Sequence, residues 1–67
     1  MDAKWLEEIE DKSLYKALTT MPEDYITIIS MKMDGYTNLD IANSFGVIET
    51  AIINKIRRIR KIIKNFQ

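Results

Sequence analysis

The side chains best suited to binding a polar ligand lie in the last third of the chain, where basic residues occur together with amide and hydroxyl side chains. The basic residues there are Lys55, Arg57, Arg58, Arg60, Lys61 and Lys64. Guanidinium and ammonium groups pair with phosphates, whereas Thr50 and Asn54 can hydrogen-bond to base edges. These residue types together indicate contact with nucleic acid.

A helical repeat is expected to position these residues. Isoleucines and a phenylalanine recur at steps of four, three, four and three residues: Ile52, Ile56, Ile59, Ile63 and Phe66. At about 100° of rotation per residue, Thr50, Asn54 and Lys61 lie roughly opposite this apolar stripe. Arg57 and Arg58 lie on its shoulders. We therefore predict a long C-terminal helix with one apolar side and one polar, basic side.

A shorter helix is predicted immediately before it. Thr37 and Asp40 have the spacing of a capping box, so this helix should begin at Asn38. Its apolar stripe consists of Leu39, Ile41, Ala42 and Phe45. Gly46 should end it, because glycine adopts a left-handed conformation at little cost. Two helices joined at a glycine, the second of them basic, are typical of a DNA-binding helix-turn-helix.

The N-terminal half is also predicted to be helical. One apolar face consists of Trp5, Leu6 and Ile9, and another, with Ser13 as a candidate cap, of Leu14, Ala17, Leu18 and Met21. The pattern leaves open whether these faces belong to one helix or two. A further helix opens with Pro22 in its first turn, closes at Asp34-Gly35, and buries Tyr25, Ile28, Ile29 and either Met31 or Met33. We predict an all-α bundle of four to five helices, with residues 1–67 as a single domain.

Composition narrows the function classes. The chain has 67 residues and no net charge, but residues 1–34 hold four basic and eight acidic residues, and residues 35–67 hold six and two. This asymmetry suggests that the basic half, residues 35–67, faces DNA. A solvated basic helix face that is neutralised by the acidic half explains the asymmetry equally well. Cysteine and histidine are absent, which fits a reducing, cytoplasmic setting and removes the usual metal ligands and catalytic bases.

We accordingly expect no metal, no cofactor and no enzymatic activity. The carboxylates are scattered over helix surfaces and form no nucleophile–base pair. No apolar run approaches the roughly 20 residues of a membrane span, and the N-terminus MDAKWLEEIEDK is acidic and has no signal-peptide core. No membrane partner is expected.

Several short motifs follow one another without gaps in residues 18–63. They are Leu18 with Met21-Pro22, Asp34-Gly35-Tyr36-Thr37, Asp40-Ile41-Ala42, Phe45-Gly46-Val47, and Arg58 with Arg60. In this order they resemble region 4 of bacterial sigma-70-type RNA polymerase sigma factors, the domain that reads the −35 promoter element. Regulators of the LuxR and GerE type share the Ile-Ala pair and the glycine turn. On this resemblance, residues 1–17 are an N-terminal helical extension.

The resemblance implies a set of site residues. The base readers would be Glu49, Thr50, Ile53 and Asn54, and the phosphate contacts would be Lys55, Arg57, Arg58 and Lys61. Thr37 and Asn38 could add a phosphate contact through backbone amides at a helix N-terminus. The chain departs from the family at Ile48, where a Ser or Thr cap is common, and it lacks a basic residue in the first turn of the last helix. For Ile53, a position at the core boundary or a protein contact is as plausible as a base contact.

Two functions follow as expectations. The first is a sequence-specific DNA-binding transcription regulator or sigma-factor-like domain, bacterial or phage in type, with double-stranded DNA and RNA polymerase as partners. The second is a protein-interaction module of the same fold that docks on RNA polymerase or another transcription regulator. The last helix has an apolar end that must be buried against another element or another chain. It consists of Ile59, Ile62, Ile63 and Phe66. We expect Trp5, Leu6 and Ile9 to cover it, with a homodimer through the C-terminal helix as the alternative.

Overall fold

The computed structural model describes residues 11–66, and these residues form four α-helices. They are α1 (Asp11–Leu18), α2 (Glu23–Met33), α3 (Asn38–Phe45) and α4 (Glu49–Lys64). No strand occurs within the described residues. The predicted all-α class is confirmed, and the long C-terminal helix is present. The predicted face of Trp5, Leu6 and Ile9 lies outside the described residues.

The core is built around α4, which packs against each of the other three helices. Four isoleucines of its predicted stripe are buried: Ile52, Ile56, Ile59 and Ile63. The other helices contribute Ala17, Met21, Ile28, Ile29, Ile41 and Ala42 to the same cluster. Phe66, the fifth member of the predicted stripe, lies beyond the end of α4 and remains 38% exposed. The repeat therefore identified the buried side of α4 but extended it one step too far.

The ends of α3 follow local sequence rules. The Thr37 hydroxyl accepts a hydrogen bond from the Asp40 amide (3.1 Å), and the Asp40 carboxylate accepts one from the Thr37 amide (3.2 Å), which confirms the capping box. Gly46 ends the helix with φ of 71°, in the left-handed region. The Val47 amide then donates to the Ala42 carbonyl at 3.0 Å, satisfying one of the last carbonyls of the helix.

One residue of the predicted α3 stripe is misplaced. Leu39 is 54% exposed, whereas Ile41 and Ala42 are buried and Phe45 is half-buried. At about 100° per residue, two residues rotate by about 200°, so Leu39 lies about 160° from Ile41 when measured the shorter way round the helix. A stripe that includes both residues is too wide for a helix that packs on one side only. The prediction of Leu39 as a core residue is wrong.

Substitution of Gly46 by alanine should lower the free energy of unfolding by about 1 kcal/mol, the cost of a left-handed conformation for a residue with a Cβ. Nothing lies within 4 Å of the position that a Cβ would take, so the cost is conformational and not steric. Urea denaturation followed by circular dichroism measures it. Ser44→Ala, an exposed change inside α3, is the control. A Gly46→Ala variant as stable as this control would contradict the argument.

The start of α1 lies beside the end of α4. Ser13 is buried, and its hydroxyl donates to the Phe66 carbonyl at 3.1 Å. Ser13 lies inside α1 and not before it, so the prediction that it caps a helix is wrong. Ala17 and Met21 are buried and Leu14 and Leu18 pack against the core, as predicted. The end of α4 is thus covered within the chain by α1, and the homodimer remains a prediction.

In α2, Ile28 and Ile29 are buried and Tyr25 is half-buried, as predicted. Met31 is half-buried and Met33 is exposed, which settles the choice between the two methionines. Pro22 was predicted in the first turn, but it lies one position before the helix, in an extended conformation with ψ of 156°. Asp34 caps the C-terminal end, and Gly35 follows with φ of 94°, as the sequence indicated.

Candidate nucleic-acid interface

The exposed side of α4 is the candidate interface. The helix has 16 residues and is therefore about 24 Å long. We give the name α4 face to seven of its exposed residues: Glu49, Thr50, Asn54, Arg57, Arg58, Lys61 and Lys64. Arg60 is exposed as well and is not included in this name. Positions 50, 54, 57, 61 and 64 follow one another at steps of four and three residues, the repeat of one helix side. The burial of the four isoleucines against the other helices leaves this side to solvent.

The α4 face has two different ends. At the N-terminal end, Glu49 and Ile53 are four residues apart, as are Thr50 and Asn54, so these four side chains are neighbours. Glu49, Thr50 and Asn54 are exposed and Ile53 is half-buried. We call these four residues the reading end. The structure therefore brings together all four residues that the sequence predicted as base contacts.

The other end of the α4 face is basic. Arg57, Arg58, Lys61 and Lys64 are all exposed, and we call them the basic end. Within residues 11–66, the structure gives none of these four side chains a carboxylate partner. After Glu49 the helix contains no acidic residue. The basic end thus presents four positive charges to solvent, and Lys64 was not among the predicted contacts although the same repeat includes it.

Lys55 lies apart from the α4 face. It is half-buried, and its ammonium lies 5.8 Å from the centroid of the Tyr25 ring of α2. This distance fits a cation–π contact. The sequence predicted a phosphate contact for Lys55, but the structure places it on the flank of α4 that faces α2. In this position its ammonium lies over the Tyr25 ring, and its phosphate contact stays a prediction.

The entry to α4 is exposed and lacks a cap. Ile48 occupies the N-cap position in an extended conformation, with φ of −77° and ψ of 156°, and provides no side-chain hydrogen bond. Its side chain is 72% exposed, and that of Val47 is 40% exposed. The sequence predicted this missing cap. Val47 and Ile48 therefore expose apolar side chains to solvent directly before the reading end.

A capping residue at this position should stabilise the domain. We expect Ile48→Ser to raise the free energy of unfolding by about 1 kcal/mol, because the serine hydroxyl can accept from an unpaired amide of the first turn. Thermal and urea unfolding measure the change. Ile48→Ala is the control, since it removes the same apolar surface without adding a cap. A serine variant no more stable than the alanine variant would contradict this prediction.

The start of α3 offers less to a phosphate than the sequence suggested. The Thr37 amide already donates to the Asp40 carboxylate, so the structure does not present it to a ligand. The same carboxylate adds a negative charge beside the helix terminus. Asn38 is half-buried, and its side-chain oxygen accepts a hydrogen bond from the Lys32 ammonium at 3.0 Å. Of the predicted amide contacts, only that of Asn38 remains.

Lys32 is the polar residue that sequence reasoning missed. It is only 5% exposed, and it lies in α2 among the buried residues Ile28 and Ile29. Burial lowers the pKa of its ammonium from the ordinary value. Its spacing of four residues from Ile28 would have placed it on the buried side of α2. Lys32 ties the end of α2 to the first residue of α3.

Two other kinds of feature, a metal site and a membrane-spanning helix, have no candidate among the described residues. Residues 11–66 contain no group of three acidic, cysteine or histidine residues that could hold a metal ion. In that same range, no helix combines the length and the apolar character that crossing a membrane requires.

Among protein-family models, curated proteins and solved structures, none matches this chain. The resemblance to sigma region 4 therefore rests on the motifs of the sequence alone, and the α4 face has to be interpreted from its own geometry and charge.

Proposed function

We propose that the chain binds double-stranded DNA through the α4 face, as a transcription regulator or sigma-factor-like domain that reads a promoter element in the major groove. One observation carries the proposal. Four exposed basic side chains and two uncharged hydrogen-bonding side chains, Thr50 and Asn54, share the solvent-facing side of α4. A protein of this kind acts where DNA is accessible, which for a bacterial or phage protein is the cytoplasm.

The dimensions of α4 fit this role. The major groove is about 12 Å wide and admits an α-helix. Thr50 and Arg57 are seven residues apart, a distance of about 10 Å along the helix axis. With the reading end in the groove, the basic end therefore reaches the phosphates at the groove edge. Base contacts and phosphate contacts are thus assigned to different ends of one helix.

Apart from Glu49, the acidic residues of the described range lie on other elements. Glu23 and Asp24 are exposed in the first turn of α2, Asp34 is the C-cap of that helix, and Asp40 is exposed in the first turn of α3. The chain has no net charge, so attraction to DNA depends on the local field of the basic end and not on the whole molecule. A domain with this distribution should approach DNA in one orientation.

Fluorescence anisotropy of a labelled duplex, titrated with protein at low and moderate salt, tests the proposal. Four phosphate contacts predict a slope of about −4 in log K against log salt concentration. Random-sequence DNA beside a duplex with a promoter-like −35 element separates non-specific from specific binding. No binding at about 10 μM protein in low salt, where non-specific contacts are strongest, would overturn the proposal.

A specific observation favours the second candidate, a protein-interaction module that docks on RNA polymerase or another regulator. Leu39, Val47 and Ile48 are exposed apolar side chains around α3 and its junction with α4. Aliphatic side chains in solvent often mark a protein contact. Binding of RNA polymerase that is unaffected by competitor DNA would favour this candidate.

A further inference from the structure

Solvent-exposed aliphatic side chains border the reading end of α4. Ile48 and Val47 are exposed directly before the helix, and Ile53 is half-buried inside the reading end. Ile48 also occupies an N-cap position without the hydrogen bond that a polar residue would supply there. Exposed aliphatic surface and a missing cap both disfavour the free domain. A ligand that covers these side chains would offset the first of these costs.

This aliphatic surface is continuous with the basic end. Ile53 precedes Arg57 by four residues, and Asn54 precedes Arg58 by four, so each pair is adjacent on the helix surface. The occupant must therefore present an apolar surface about 6 Å from anionic groups along the helix axis. The major groove combines these features, because thymine methyl groups line its floor and phosphates line its edges.

The remaining side chains of the reading end narrow the base preference. No lysine or arginine lies there, so the bidentate contact that most often identifies guanine is absent. Asn54 can pair with the N6 and N7 atoms of adenine, and the methyl group of Thr50 can contact thymine. Glu49 can accept from an exocyclic amino group, the N4 group of cytosine or the N6 group of adenine. A·T pairs satisfy more of these groups than G·C pairs.

We infer that the reading end selects A·T-rich duplex DNA by packing Ile48, Ile53 and the Thr50 methyl group against thymine methyl groups. Asn54 contacts adenine on the same face. This inference rests on the proposed function, since it names the bases that the DNA-binding helix reads. The exposed Ile48 is then part of the recognition surface.

Removal of the thymine methyl group alone tests the inference. Affinity is measured for a duplex of alternating A·T pairs and for the same duplex with uracil in place of thymine. The two duplexes have the same Watson–Crick pairing and phosphate charge. Each methyl contact should contribute about a four-fold difference in affinity, from the transfer free energy of one buried methyl group. The reverse change adds a methyl group to cytosine in an alternating G·C duplex, and the affinities with and without this group are compared.

The side chains are tested with matched variants. Ile48→Ala should reduce the thymine-to-uracil ratio towards one, and because Ile48 is mostly exposed the variant should fold normally. Ile53→Ala should act in the same direction. Leu39→Ala is the control, since Leu39 is an exposed aliphatic residue on α3 and lies outside the α4 face. It should leave the ratio unchanged.

The outcomes separate the inference from the proposed function. A preference for thymine that disappears in Ile48→Ala or Ile53→Ala supports the inference. Equal affinity for thymine and uracil duplexes, with binding that still weakens steeply with salt, overturns it and leaves DNA binding intact. No binding to any duplex at low salt contradicts the proposed function itself. The exposed aliphatic side chains would then have to be covered by a protein partner.

Discussion

Charge reversal at two positions of the basic end, Arg58→Glu with Lys61→Glu, should nearly abolish DNA binding. Each substitution removes a phosphate contact and replaces it with repulsion. We expect affinity at low salt to fall on the order of 100-fold, and the slope of log K against log salt to lose about two units. Fluorescence anisotropy with random-sequence DNA measures both quantities. The fold should persist, because both side chains are exposed.

A matched control exists on α1. Lys12 and Lys16 are exposed, lie one helical turn apart and give the same change in net charge when both become glutamate. If α4 binds DNA, this control loses only long-range attraction, which salt screens over about 10 Å at 0.1 M. Equal losses of affinity in the two double variants would show that total charge matters and the α4 face does not. That result would contradict the assigned interface.

The parts of the fold that depend on neighbouring residues could be predicted from the sequence. The capping box at Thr37 and Asp40 and the left-handed turn at Gly46 depend on residues within four positions of each other, and both occur as expected. The buried side of α4 also follows from a repeat within one helix. Such features need no knowledge of how the helices pack.

Features that depend on tertiary packing were mispredicted or missed. Ser13 donates to Phe66, a residue 53 positions away, and no local pattern indicates this contact. Lys32 is buried because Asn38 accepts its hydrogen bond and because its aliphatic stem can lie among isoleucines. Leu39 is exposed because the partners of α3 lie on one side only. In each case the decisive neighbour belongs to another element.

The candidate site was likewise predictable where it depends on one helix and unpredictable where it depends on contacts between helices. The helical repeat was sufficient to place Thr50, Asn54 and the basic end on one side of α4. It could not show that Lys55 lies over the Tyr25 ring, or that the Thr37 amide is already hydrogen-bonded. The side of a helix is thus predictable from sequence, whereas the partners of a long or polar side chain depend on the assembled fold.

The stability of this fold should depend strongly on Ile59. Its side chain is fully buried in the core cluster, at 0% exposure, on the helix that contacts all the others. Ile59→Ala should lower the free energy of unfolding by about 2–5 kcal/mol, from lost transfer free energy and the cavity left behind. A domain of 67 residues has in total about 3–10 kcal/mol of stability. We therefore expect a substantial unfolded fraction at physiological temperature, measured by urea and thermal denaturation.

Ile53→Ala is the control for Ile59→Ala, because it makes the same chemical change on the same helix at a half-buried position. It should cost about 1 kcal/mol or less, since less apolar area leaves water at that site. Equal destabilisation by the two variants would contradict the assigned core. Duplex DNA added to Ile59→Ala should raise its melting temperature, because a ligand that binds only the folded state stabilises it by mass action. The same DNA should leave the melting temperature of the Arg58→Glu/Lys61→Glu variant nearly unchanged, which separates loss of folding from loss of the binding surface.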